Sequence, residues 1–93
     1  MQHFDKMTKN EILTVVEKSI IQYLGDVNAQ VRRDSQLEKE FGLDSTEMVC
    51  VAVEIEKTLG VSLKGIRFGH IKTPDDLAKA IAERVASKEV ELT

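Results

Sequence analysis

One cysteine, Cys50, and two histidines among 93 residues exclude an internal disulfide and any zinc site built from several cysteines. Tryptophan is absent, aromatics make up only 4% of the chain, and the net charge is −3. Neither a stacking platform nor a basic phosphate-binding face is present, so nucleic acid is excluded as a partner. No apolar run approaches the roughly 18 residues of a membrane span, which excludes membrane insertion. The leading MQHFDKM lacks the charged-then-apolar pattern of a signal peptide, so the expected compartment is cytoplasmic. With one proline and five glycines, little interrupts regular structure.

What is present is aliphatic and charged residues, 42% hydrophobic and 31% charged, in proportions that suit a folded globular chain. The length fits one domain over residues 1–93, with a core over 9–87 and frayed termini. The periodicity predicts an all-α fold. Thr8 and Glu11 have capping-box spacing, and Ile12, Leu13, Val15, Val16, Ile20, Tyr23 and Leu24 then recur at helical intervals up to Gly25, which predicts a first helix over 9–24. Residues 25–35 have no sustained period and read as a long first loop with Val31 as an anchor. Ser35 and Glu38 repeat the capping-box spacing, but Gly42 leaves room for only a short helical turn, pinned by Leu37 and Phe41.

Asp44 and Glu47 start another helix, in which Met48, Val51, Ala52, Ile55 and Leu59 form one stripe before Gly60. Between Gly60 and Thr73 the apolar residues are broken by glycines, which leaves a short third helix or a loop. Thr73 as cap, Pro74 at the first helical position and Asp76 open a last helix expected to reach residue 87.

The chemistry concentrates at Gly42-Leu43-Asp44-Ser45-Thr46-Glu47. A helix start favours an anion, because its backbone N–H groups and positive dipole end face outward. If Asp44 caps the helix, the Ser45 hydroxyl is free to be modified. On spacing alone, Asp-Ser before an apolar run is also what any capped helix shows. Phe41-Gly42-Leu43-Asp44-Ser45, halfway along an acidic chain and leading into a helix with Glu47, Glu54 and Glu56, resembles the attachment motif of the acyl carrier proteins and related carrier domains. Leu59-Gly60-Val61-Ser62-Leu63 and Ile71-Lys72-Thr73-Pro74-Asp75-Asp76-Leu77 are similar to later stretches of that family.

The resemblance implies a four-helix bundle, acyl-carrier-protein-like and up-and-down, whose Ser45 carries a covalent 4′-phosphopantetheine delivered from coenzyme A by a phosphopantetheinyl transferase, with Asp44 helping the transferase engage. It implies a carrier and no enzyme: acyl, aryl or aminoacyl groups ride as thioesters on the arm, loaded by a ligase or acyltransferase and presented to synthase enzymes. Glu47, Glu54 and Glu56, with Thr46, Lys64, Arg67 and His70, form the candidate docking surface.

Two departures from the family pattern bear on partners. Thr46 stands where the family has leucine, and Cys50 and Lys57 stand where fatty-acid carriers show glutamate. Residues 34–59 carry a balance of −5 while residues 60–73 carry +3, a contrast that steers association with complementary partners. The expected role is a freestanding, monomeric carrier for a specialised fatty-acid or polyketide-type pathway; the alternative is a small helical interaction module without a cofactor. Cys50 has no histidine near it in sequence and reads as inert. A hydrolase reading of Ser45 lacks the Gly-x-Ser-x-Gly elbow and has only His70 as a remote base.

Overall fold

Helix α1 spans Lys9–Leu24, and its start is the predicted capping box. Thr8 Oγ1 accepts from the Glu11 N–H at 3.2 Å, and the Glu11 carboxylate accepts from the Thr8 N–H at 2.8 Å. The computed structural model describes residues 8–91, with side chains through Val85; of the expected frayed termini, residues 1–7 and 92–93 lie outside the described residues. Ile12, Leu13, Val16 and Ile20 are buried at the three-and-four spacing that puts one stripe on one face. Tyr23 leaves that stripe: it is 41% exposed.

The long loop is tied down locally. Asp26 Oδ1 accepts from the Asn28 N–H at 3.0 Å, and Val31 packs against the core. Ser35 is buried and differs from its expected role as a helix cap. Its hydroxyl accepts from the Arg32 N–H at 2.8 Å and its N–H donates to the Arg32 carbonyl at 3.0 Å, so it closes the preceding turn and is turned away from the helix. Helix α2, Leu37–Phe41, is instead preceded by Gln36 as cap, whose N–H donates to the Glu40 carboxylate at 2.8 Å. The one-turn helix is held inward by buried Leu37, and the Leu37 N–H donates to the Lys72 carbonyl at 2.9 Å.

Helix α3 spans Ser45–Leu59 and buries Met48, Val51, Ala52, Ile55 and Leu59, the predicted stripe. The segment after it contains the short third helix as a three-residue 3₁₀ turn, Phe68–His70, with loop on either side of it. The reason is in its backbone bonds. The Glu56 carboxylate reaches past the helix end to accept the Leu63 N–H at 2.6 Å, and Arg84 donates to the carbonyls of Lys64 at 2.6 Å and Ser62 at 3.3 Å. These side chains satisfy backbone groups that a helix would have paired itself, while Val61 and Leu63 enter the core.

Helix α4 spans Pro74–Glu91. Thr73 Oγ1 accepts from the Asp76 N–H at 3.1 Å and Asp76 accepts from the Thr73 N–H at 3.2 Å, again as the spacing predicts. The helix runs four residues past its expected end, since Ala86, Lys88 and Glu89 favour helix even where the apolar stripe has stopped. Helix α1 packs against both α4 and α3, and α3 meets the 3₁₀ turn. The four α-helices enclose one aliphatic core running from Ile12 to Val85, and no strand occurs among the described residues.

Candidate functional site

Successive residues take on different tasks at the junction of α2 and α3. Gly42 ends α2 with φ +71°, a left-handed conformation that a side chain disfavours. The turn sends Leu43 into the core at 3% exposure, where its N–H donates to the Leu37 carbonyl at 3.1 Å. Asp44 is the cap of α3, its Oδ1 accepting from the Glu47 N–H at 3.0 Å. Ser45 is therefore the first helical residue and is exposed. Its hydroxyl, relieved of the capping duty, makes no hydrogen bond with the described residues.

Ser45 lies on the wall of an open cleft of about 590 Å³ between α2 and the 3₁₀ turn, which Leu43, Phe68 and Ile71 line with apolar surface and Lys39 and Lys72 with positive charge. A surface hydroxyl beside an open, partly apolar cleft fits a covalently tethered arm: the attachment atom is accessible and room exists next to it. On the other side of Ser45 the charge is negative. Partial desolvation first, then the neighbouring Glu47, Cys50 and Asp44, together with hydrogen bonding to Glu47, raises the Tyr23 phenol above its ordinary value of 10.0. Tyr23 thus belongs to the surroundings of the site. Its helical spacing resembles that of a core residue, and the sequence offers no signal for the difference: Leu24 of the same turn packs on the core while Tyr23 stays at the surface beside the start of α3.

The remaining candidate residues fall into distinct places. Thr46 is exposed beside Ser45, and Glu47 is half-buried below it. Glu54 pairs with Lys57 at 3.6 Å, which offsets part of the acidity of α3. Glu56 is committed to the Leu63 N–H and serves the fold before any partner. Lys64, Arg67 and His70 are exposed but separated: Lys64 borders a groove with Val49, Val53 and Phe68, while Arg67 and His70 border another with Ala80 and Glu83. Cys50 is exposed. Among the described residues no group of histidine, cysteine or carboxylate side chains is arranged to hold a metal ion, and no helix is long and apolar enough to cross a membrane.

The family described as the phosphopantetheine attachment site matches residues 15–81, which run from α1 into α4 and contain the Asp44-Ser45 junction. An acyl carrier protein of Exiguobacterium sibiricum is 25% identical over 79 residues, covering 85% of this chain and 100% of the relative. No solved structure matches the chain significantly. Helical architecture, a match over most of the chain and a full-length relative agree: this chain belongs to the phosphopantetheine-bearing acyl carrier protein family, whose members carry a covalently attached 4′-phosphopantetheine and serve as carriers, not catalysts.

Proposed function

We propose that Ser45 is the residue that bears the 4′-phosphopantetheine, and that the chain is a monomeric, cytoplasmic carrier of a specialised fatty-acid or polyketide-type pathway. The observation that carries the assignment is the division of labour at the start of α3. Asp44 holds the Glu47 N–H, so the exposed Ser45 hydroxyl has no structural bond to give up on modification. A transferase supplies the chemistry: the Ser45 oxygen forms a bond to the phosphorus of coenzyme A that bears the pantetheine, the diphosphate linkage breaks, 3′,5′-ADP leaves, and the hydroxyl proton passes to a base of the transferase. When bound, the group provides a thiol on which acyl, aryl or aminoacyl cargo is held as a thioester.

Specialisation rests on Thr46 and on the charges that flank it. The acidic side chains Glu47 and Glu54 and the basic Lys64 and Arg67, with His70, offer partners a mixed surface, which favours complementary enzymes through association rate and specificity. A loading ligase or acyltransferase and a synthase that bind here carry patches of both signs.

Intact mass of the protein before and after incubation with coenzyme A and a broad-specificity phosphopantetheinyl transferase tests the assignment, with Ser45→Ala alongside. One phosphopantetheine addition on the parent and none on a helical, folded Ser45→Ala protein is the expected result. Addition to the variant would move the site elsewhere.

A further inference from the structure

Ser45 stands at a boundary of charge. Toward α1 lie Glu47 and the Tyr23 phenol, Asp44 borders both sides, and the opposite wall, shared by α2 and the segment before α4, bears Lys39 and Lys72. Both lysines are exposed, and neither ammonium makes an ion pair or a hydrogen bond with the described residues. Modification of Ser45 adds a phosphodiester, one negative charge held a bond away from the Ser45 side chain. On the α1 side that charge meets Glu47 and no cation among the described residues; on the cleft side it meets two unpaired ammonium groups, which share the lining with the carboxylates of Glu38 and Asp44. Glu38 also lines the cleft, and its carboxylate pairs with no cation among the described residues, whereas Asp44 is engaged as cap.

The backbone places the two lysines together. The Leu37 N–H donates to the Lys72 carbonyl, fixing the start of α2 against the chain that leads into α4, and Leu43 fastens the other end of the junction. Gly69, between Phe68 and His70 on the far wall, has nothing within 4 Å of where a Cβ would stand. The cleft is thus open at the 3₁₀ turn and lined with apolar surface by Phe68 and Ile71.

We propose that Lys39 and Lys72 are positioning residues for the prosthetic arm: they hold its phosphodiester on the cleft side of Ser45 and send the pantetheine across the 3₁₀ turn, away from Tyr23. This inference rests on Ser45 being the attachment site. Lys39 and Lys72 favour the docked arm, and Glu38 opposes it.

The test compares ¹⁵N-labelled apo and holo protein by NMR, after mass spectrometry has established one arm on Ser45. Attachment is expected to shift the amides of residues 36–39 and 68–72 as well as those beside Ser45. In the Lys39→Gln/Lys72→Gln double variant the remote shifts fall, and two exposed ion pairs correspond to a change of about twofold to thirtyfold in the docking equilibrium. Salt at about 1 M shortens screening to about 3 Å and should reduce the parent's remote shifts in the same direction. Glu38→Gln should enlarge them, and Lys18→Gln, on the exposed face of α1, should leave them unchanged.

Remote shifts that survive intact in the folded double variant, or shifts confined to Ser45 and the Tyr23 side, overturn the proposal and leave the attachment assignment standing. Failure of the arm to attach to Ser45 at all, read in the mass spectrum, removes both.

Discussion

Asp44 and Asp75 show how much a single carboxylate contributes in this small chain. Asp44 gives its oxygen to the Glu47 N–H, and Asp44→Ala should cost about 0.5–2 kcal/mol in urea unfolding. Ser45→Ala removes no such bond and should leave the midpoint nearly unchanged, so the two neighbours separate stability from modification. Asp75 joins three parts of the chain: Lys9 of α1 at 3.0 Å, Arg33 of the long loop at 3.3 Å, and, through its N–H, the Arg33 carbonyl at 3.0 Å. Hydrogen bonds from Lys9 and Arg33 hold its carboxyl below the ordinary aspartate range, with partial desolvation acting the other way.

A lowered folded-state value means a contribution present above the unfolded value, near pH 4, and lost as pH falls through the folded one. The difference in unfolding midpoint between the parent and Asp75→Asn should therefore be largest near neutrality and shrink below about pH 4. Glu17 has the opposite sign. Desolvation raises it, with the Arg33 charge opposing, so its contribution is full below the unfolded glutamate value and is lost as pH rises through the folded one. A parent-versus-variant comparison isolates Asp75 from it.

At the scale of elements, the segment between α3 and α4 depends on side chains from the helices that flank it. Glu56 and Arg84 grip residues 62–64 from opposite sides. Glu56→Ala leaves the half-buried Leu63 N–H without its charged acceptor and should cost about 1–3 kcal/mol. Hydrogen exchange at Leu63 should rise sharply while the amides of α1 stay protected. If the protection of Leu63 were unchanged, the Glu56 bond would not be what holds this loop. Helix α2 has a comparable dependence at Gly42, whose φ of +71° makes Gly42→Ala strained despite open space around it; the expected cost is about 1–2 kcal/mol.

For the whole molecule, stability resides in aliphatic packing. Val16, Ile20, Val51, Ile55, Leu77 and Ile81 are fully buried, and no buried side-chain nitrogen or oxygen among the described residues lacks a partner. A chain of this size is stable by roughly 5–15 kcal/mol. Ile55→Ala, at the middle of α3, should cost about 2–5 kcal/mol by leaving a cavity. Thermal unfolding monitored by circular dichroism would show this as a drop of about 8 °C or more, at about 4–8 °C per kcal/mol for a domain of this length. The same core fixes the site, because Leu43 and Met48, buried on either side of Ser45, set the angle at which the serine leaves the surface.

The long helices could be read from the chain because their signals are local: a capping box at Thr8, a stripe from Met48 to Leu59, Thr73 and Pro74 ahead of α4. Asp44 as cap and Ser45 as the free hydroxyl were equally legible, since a cap and its neighbour are fixed by positions three residues apart. Other features depend on residues distant in sequence, and local spacing does not record them. Ser35 has the spacing of a cap but is drawn into the turn before it, and Tyr23 has the spacing of a core residue but lies at the surface beside the start of α3. Within residues 60–73 the short third helix is limited to Phe68–His70, and the loop before it is held by Glu56 and by Arg84, the latter some twenty residues away. The juxtaposition of Lys39 with Lys72 across the Ser45 cleft likewise exists only once Leu37 has bonded to the Lys72 carbonyl. The sequence by itself determined where helices begin and which hydroxyl is left free, through hydrogen bonds within one turn; only the tertiary structure decided which charges face that hydroxyl, because these come from segments brought together by the burial of a shared core.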